Sequence, residues 1–376
     1  MIPVSTLVAG KGTVSERLGV RRRGGGKPIV FWNITWACNL RCVHCYINAG
    51  PTPGPGELGR DEALRVAKEL IDYGVPMVVL SGGEPLIRRD FWDILGVLSG
   101  GTRVGVSTNG TLITRSTAKR LANYGVSYVG ISLDSHRPEV HDSIRGVKGA
   151  FKAALRGALN AISEGLDVGF RITVMKGNLH DAIGVVRLAE EHGIPRVAVY
   201  LVDAVGRARR DKSLYPSPGE VRKLVERLTE EARRLAGRVE IILVRAPFAG
   251  VYLALNESRG DGERLRRLLS LVPEAGCGAR SVSIYPDGTV RPCQFIENVV
   301  VGDLKREKVE DVLSPSNPRL RPFIEPWLYL RGPRCSRCRF KRVCGGGSRA
   351  RAEALNGDFW GDDPLYFLPE EVIQGG

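Results

Sequence analysis

Three thiols crowd one short stretch: Cys38, Cys42 and Cys45, spaced C-x-x-x-C-x-x-C between Thr35 and Tyr46. Thiolates are soft ligands that select zinc or iron–sulfur clusters. A closed structural zinc site takes four ligands, and only three thiols are available locally. His44 completes a zinc knuckle only if it turns to the same ion, which its place between Cys42 and Cys45 hinders. A four-iron cluster on three thiolates instead leaves one iron open to a non-protein ligand. Five more cysteines follow far downstream, Cys277, Cys293, Cys335, Cys338 and Cys344. In an intracellular chain such thiols are more often metal ligands or catalytic groups than disulfides.

The elements around the first three thiols fix where they sit. Short β-branched runs at Ile29 to Ile34, Met77 to Leu80, Val104 to Ser107, Tyr128 to Leu133, Asp167 to Val174 and Arg196 to Leu201 read as strands. Between them, Asp61 to Asp72, Asp90 to Ser99, Thr114 to Asn123, Gly149 to Glu164 and Leu179 to His192 carry helical periodicity, and Pro218 to Leu235 follows. Six such βα units make an α/β fold, either an open partial barrel or a doubly wound sheet. Both gather ligands beyond the carboxyl ends of the strands. The thiol loop follows the first strand, Ser81-Gly82-Gly83-Glu84-Pro85 the second and Asn109-Gly110 the third, while Ser132-Leu133-Asp134 closes the fourth.

Composition narrows the setting. The 376 residues are 43% hydrophobic and 26% charged, enough for roughly two domains and unlike a disordered chain. Apolar runs long enough to span a membrane are missing, and the basic start through Arg21-Arg22-Arg23 has no apolar stretch behind it. The expectation is a cytoplasmic protein without membrane association. Its net charge of +14 fits either a polyanionic partner or a heavily ion-paired surface. The expected division is an N-terminal extension over 1–27, a core over 28–240, linking helices over 241–275 and a Cys-rich unit over 276–376, opened by a hairpin at Pro286-Asp287-Gly288.

The thiol loop, the Gly-Gly-Glu-Pro block and the later polar edges, in this order, resemble the radical S-adenosylmethionine enzymes over most of the chain. The resemblance implies a partial (β/α)6 TIM-like barrel. It implies a catalytic 4Fe-4S cluster on Cys38, Cys42 and Cys45, S-adenosylmethionine on the open iron, and a reductase or ferredoxin-like electron donor. By the same resemblance His44 lies beside the adenine, Gly82, Gly83 and Glu84 hold the methionine amino group, and Asn109, Ser132 and Asp134 face ribose and carboxylate. Arg171 is a candidate partner for the cofactor carboxylate. The later cysteines resemble the SPASM (twitch-type) domain, with Cys277 through Gly288 to Cys293 and Cys335-x-x-Cys338-x(5)-Cys344 as its elements. Gly347-Ser348 and Leu365-Tyr366-Phe367 stand where further thiolates would be, which leaves five thiols for one complete auxiliary 4Fe-4S cluster, for one completed by a water, Asp or substrate ligand, or for structural zinc on four of the five.

Ile29 to Thr35, Val205-Gly206-Arg207, Pro292-Cys293-Gln294-Phe295 and Arg349-Ala350-Arg351-Ala352 are similar to the haem-biosynthesis branch of that family. This implies an oxidoreductase or lyase that decarboxylates or trims side chains of an anionic, sirohaem-derived tetrapyrrole or a d-type haem precursor, with no nucleic-acid partner. Arg207 and Arg349, with Arg209, Arg210 and Arg351 nearby, are the expected carboxylate clamps. The alternatives are a maturase for a ribosomally made peptide and a non-catalytic iron–sulfur or zinc module. Binding of S-adenosylmethionine separates the module from both enzymes. Replacing Cys38, Cys42 and Cys45 together by Ala is expected to abolish 5′-deoxyadenosine release under dithionite while sparing any C-terminal cluster. Release that persists in the triple variant would remove the catalytic role from this loop.

Overall fold

The computed structural model describes residues 1–9, 26–273 and 276–374. Arg21-Arg22-Arg23, part of the expected N-terminal extension, lies outside the described residues. The start of that extension is ordered: β1 (Ile2–Pro3) runs into α1 (Val4–Ala9), an arrangement too short for periodicity to reveal. From there strands and helices alternate. β2 (Ile29–Asn33), α2 (Arg60–Tyr73), β3 (Met77–Ser81), α3 (Phe91–Ser99), β4 (Arg103–Thr108) and α4 (Arg115–Asn123) form the first half. β5 (Tyr128–Ser132), α5 (Pro138–Arg145), α6 (Ala150–Ser163), β6 (Val168–Val174), α7 (Asp181–Glu191), β7 (Arg196–Leu201), α8 (Pro218–Leu235) and β8 (Glu240–Val244) complete it.

Eight neighbouring strands run parallel in the order β8-β7-β6-β5-β4-β3-β2-β9, where β9 is Ser281–Ile284. Two of them correct the sequence expectation of six. Residues 241–244 were expected to open the linking helices, yet Glu240–Val244 is a strand with all five residues buried. A short apolar run does not distinguish a strand covered on both faces from a buried helix. The helices of that stretch are α9 (Pro247–Ser258) and α10 (Gly262–Leu271). β9, expected within a separate Cys-rich unit, instead extends the core sheet through Ile29↔Ser281 and Trp32↔Ile284. Antiparallel strands finish both edges, β1 on β8 and the ribbon β10 (Thr289–Arg291) and β11 (Gly302–Asp303) beyond β9.

Short helices follow: α11 (Val309–Val312), α12 (Arg321–Ile324), α13 (Lys341–Cys344), α14 (Arg349–Asn356) and α15 (Glu370–Gln374). They dock on the sheet through one buried carboxylate. Asp203, just past β7, pairs with Arg245 and accepts the Ser348 hydroxyl at 2.6 Å, while Arg351 lies at 3.9 Å. Ser348 caps α14 by accepting the Arg351 N–H at 3.2 Å. Arg351 is fully buried and forms a fork on Asp363 at 3.0 and 2.7 Å. Removing one partner of such a pair strands a charge in a low dielectric. Asp363→Ala is therefore expected to cost about 3–5 kcal/mol in urea unfolding, and a loss below about 1 kcal/mol would show that Asp203 alone satisfies Arg351.

Candidate active site

The register of β2 against β3 sets Thr35–Ala37 beside Gly82-Gly83. Gly83 N–H donates to the Thr35 carbonyl and Glu84 N–H to that of Ala37, each at 2.8 Å. A Cβ on Gly83 would stand 2.2 Å from the Ala37 oxygen, and one on Gly82, whose φ is +140°, 2.6 Å from the Thr35 oxygen. The glycines are thus required by close approach of two backbones. On the far side Glu57 Oε1 accepts from Trp36 N–H at 2.8 Å and Gly54 N–H at 2.9 Å, fixing the start of the thiol loop. Cys38 N–H closes that loop on the Gly50 carbonyl, and Arg41 and Val43 N–H groups bond to the end of α5.

Cys38, Cys42 and Cys45 line one cavity together with His44, Gly82, Gly83, Asn109, Ser132 and Arg171. Donors point at all three sulfurs: Leu40 N–H to Cys38 at 3.4 Å, Arg145 Nη1 to Cys42 at 3.5 Å, and Ala49 N–H to Cys45 at 3.3 Å. Burial pushes the Cys38 thiol up to about 12, so ionisation needs the compensating charge of a metal centre. Thiolates so surrounded suit an iron–sulfur cluster, whose potential such hydrogen bonds tune. Burial holds His44 down near 4, so it is neutral, and its buried Nδ1 has no hydrogen-bond partner among the described residues and can meet a bound ligand.

Several expected contacts fall elsewhere. Glu84 is buried behind the cavity lining, where its carboxylate accepts from Thr108 Oγ1 at 2.8 Å, Asn109 N–H at 2.8 Å and Leu86 N–H at 3.2 Å. It positions the β4 edge rather than facing a ligand. Asp134 likewise holds Arg145 at 2.7 Å and Thr173 N–H at 2.9 Å, with His44 at 3.6 Å. Arg207 reaches back to the carbonyls of Cys42 at 2.7 Å and Ala49 at 3.0 Å, bracing the thiol loop. Arg349 donates to the carbonyls of Phe359 at 2.9 Å and Gly361 at 2.8 Å, and Arg209 pairs with Glu297 and Glu353. These arginines were the expected clamps, and most of their donors bind the fold; Arg207 Nη2 and Arg349 Nε have no hydrogen-bond partner among the described residues, and Arg207 lines the three-thiol cavity. Arg171 does face the cavity, bonded to the Ser107 and Tyr200 hydroxyls and to no carboxylate among the described residues.

Arg145 escapes a reading of the sequence because α5 was not assigned, although Pro138 and Gly146 punctuate its ends. Tyr200, Gln294 and Phe295 were not assigned to the site either, and they line both this cavity and a second one of about 780 Å³. That larger space is walled by Phe31, Phe295, Phe323 and Trp327 and reaches Cys277, Cys293 and Cys344. The five later thiols divide. Arg245 donates toward Cys277 at 3.6 Å and Cys293 at 4.0 Å and to Ser348 at 2.8 Å, whereas Cys338 and Cys344 belong to the same buried cluster as Tyr366.

A parallel α/β barrel with three thiols on the loop after its first core strand and a Gly-Gly-Glu-Pro turn after the next defines a cluster-bearing radical enzyme. The profile of the radical SAM superfamily matches residues 32–189, and that of the SPASM iron–sulfur cluster-binding domain matches residues 277–339. The chain belongs to the radical SAM superfamily and carries a SPASM domain; its cofactors are a 4Fe-4S cluster, S-adenosylmethionine and auxiliary iron–sulfur. It is 36% identical to the Fe-coproporphyrin III synthase of Methanosarcina barkeri over 359 residues, 92% of this chain and 89% of that protein. To the pre-heme d1 synthase of Dinoroseobacter shibae it is 31% identical, across 92% of this chain and 87% of that one. Peptide-modifying relatives stand further off, such as the PqqA peptide cyclase of Bradyrhizobium diazoefficiens at 28% over 91% and 87%. The fold is shared with native anSMEcpe with bound AdoMet, at a TM-score of 0.69 and 18% identity over 90% of this chain and 94% of that chain. Among the described residues no helix is long and apolar enough to cross a membrane.

Burial raises the Glu84 carboxyl from 4.5 to about 7. The folded chain therefore holds a proton that the unfolded chain releases across that window, so this stabilisation is complete below pH 4.5 and fades as pH rises through 7. Unfolding of the cofactor-free protein is expected to lose about 3 kcal/mol of this contribution over the window, and Glu84→Gln is expected to remove that part of the pH slope. An unchanged slope in the variant would place the titration elsewhere.

Proposed function

We propose that the chain removes or oxidises carboxylate-bearing side chains of an iron tetrapyrrole on the route to a haem-type product. The observation that carries this reading is the aromatic-walled space of about 780 Å³ beside the three-thiol cavity, a size suited to a large planar ligand. Relatives named for haem-precursor synthesis align over nine-tenths of the chain, which supports the same substrate class. Arg280 lines the space, and its side chain makes no hydrogen bond or ion pair among the described residues, so a substrate carboxylate can take its donors.

When bound, the cluster and S-adenosylmethionine supply a 5′-deoxyadenosyl radical that takes one hydrogen atom from the substrate. The residues of the chain do the placing. Cys38, Cys42 and Cys45 hold the cluster at the mouth of the barrel, Arg171 offers donors to an anionic cofactor group, and Gln294 with Phe295 forms the partition across which substrate meets the radical. The Gln294 amide donates to the Tyr46 hydroxyl at 3.2 Å, which ties that partition to the thiol loop. A reductase or ferredoxin-like protein supplies the electron.

Anaerobic turnover with didecarboxysirohaem and with iron coproporphyrin, products read by mass spectrometry, tests the reaction. Arg280→Ala is expected to weaken tetrapyrrole binding roughly ten- to a hundredfold, read from visible absorbance, while 5′-deoxyadenosine release without substrate is unchanged. Arg207→Ala, which loosens the thiol loop, is expected to impair both. If the unaltered protein binds neither tetrapyrrole, the haem-precursor reading fails and a peptide substrate takes its place.

A further inference from the structure

The thiols of Cys335, Cys338 and Cys344 are one short of a four-thiolate set, and no cysteine follows Cys344. All three are buried. The Tyr366 hydroxyl is buried beside Cys338 and meets no partner at full hydrogen-bond geometry among the described residues. Other sheltered tyrosines are satisfied: Tyr285 donates to the Gln294 carbonyl at 3.1 Å, Tyr215 to that of Ala208 at 2.8 Å and Tyr46 to Asn33 Oδ1 at 2.5 Å. A buried hydroxyl left unpaired is costly and calls for an explanation.

The ring is held in place rather than left loose. Phe248 packs on it edge-to-face at 5.8 Å, and the Tyr366 N–H closes a turn on the Asp363 carbonyl at 3.0 Å. Nearby carboxylates have other duties. Asp362 accepts the N–H groups of Cys335 at 2.8 Å and Arg334 at 3.1 Å, and Asp363 holds Arg351. Cys277 and Cys293 are engaged by Arg245 and belong to a different group.

We propose that the Tyr366 phenolic oxygen is the fourth protein ligand of an auxiliary 4Fe-4S cluster held by Cys335, Cys338 and Cys344. An iron–oxygen bond forms as the phenol proton leaves to solvent, with no change in the oxidation state of the iron. A hard oxygen donor among sulfurs marks one iron as unlike its neighbours. The inference stands on the cluster-binding domain and is independent of which substrate the enzyme takes.

The test uses the full chain lacking Cys38, Cys42 and Cys45, reconstituted anaerobically so that only the C-terminal cluster remains. Resonance Raman is expected to show phenolate modes that shift when the protein is made with ring-deuterated tyrosine, and iron-57 Mössbauer spectra to show one distinct iron. Tyr366→Phe is expected to lose the modes and to shed one iron in air, and Tyr366→Cys to give a cluster without the distinct site. Absent phenolate modes in the parent, their persistence in Tyr366→Phe, or loss of the distinct iron only in Asp362→Asn would overturn the assignment, as would zinc in place of iron. The isotope shift in the parent decides the matter should Tyr366→Phe fail to fold.

Discussion

Everything at the site depends on two backbones lying closer than side chains permit. The thiol loop leaves β2 and the Gly-Gly turn leaves β3, and parallel pairing brings them within hydrogen-bond reach. Any Cβ at Gly83 would overlap the Ala37 carbonyl. From that contact the rest follows in sequence order. The turn places Glu84 under β4, Glu84 fixes Thr108 and Asn109, and Asn109 reaches Asn39 on the loop at 2.8 Å. A second chain closes from the opposite side, where Asp134 at the end of β5 holds Arg145, and Arg145 points at Cys42. The three sulfurs are thus located by polar contacts from four separate strand ends, which keeps a loop of irregular backbone in one conformation.

Two carboxylates read as ligand-facing residues turn out to act one step behind the cavity, for the same physical reason. A buried carboxylate needs several donors, and N–H groups at the end of a neighbouring strand are the nearest supply. Glu84 and Asp134 take them, and the cavity is then lined by what lies in front: glycine backbone, Asn109, Ser132 and Arg171. Their sequence positions beside ligand-binding motifs arise because the scaffold and the lining share the same few residues at each strand end.

Apart from the missed α5, strand and helix positions in the first six units were legible within one or two residues, because alternating apolar periodicity over long segments is a strong signal. β8 and β9 were less so. Glu240–Val244 is a glutamate followed by only four apolar residues, and Ser281–Ile284 sits among cysteines and turns whose composition suggests a separate unit. Their membership in the sheet is set by pairing partners some forty to two hundred and fifty residues away in sequence, as in Arg196↔Glu240 and Ile29↔Ser281, which local pattern does not carry. The thiols were legible in type and spacing, yet their grouping was not. Only the fold separates Cys277 and Cys293, beside Arg245, from Cys338 and Cys344 in the buried cluster of Tyr366.

The basic surplus has a meaning different from the one its amount suggests. A charge of +14 reads first as attraction for polyanions, but the arginines near the site are engaged by the chain itself. Arg207, Arg349 and Arg351 cap carbonyls of irregular segments, and Arg245 and Arg351 bind buried aspartates. Such segments have no helix or sheet partner for their carbonyls, and a planar guanidinium offers five donors in a fixed fork to them, where an ammonium has three on a freely rotating head. Cluster-binding loops must stay irregular so that their thiols can face one centre. Arginine bracing is the way this fold satisfies the backbone that irregularity leaves open, and Arg171, Arg207 and Arg280 also line the two cavities.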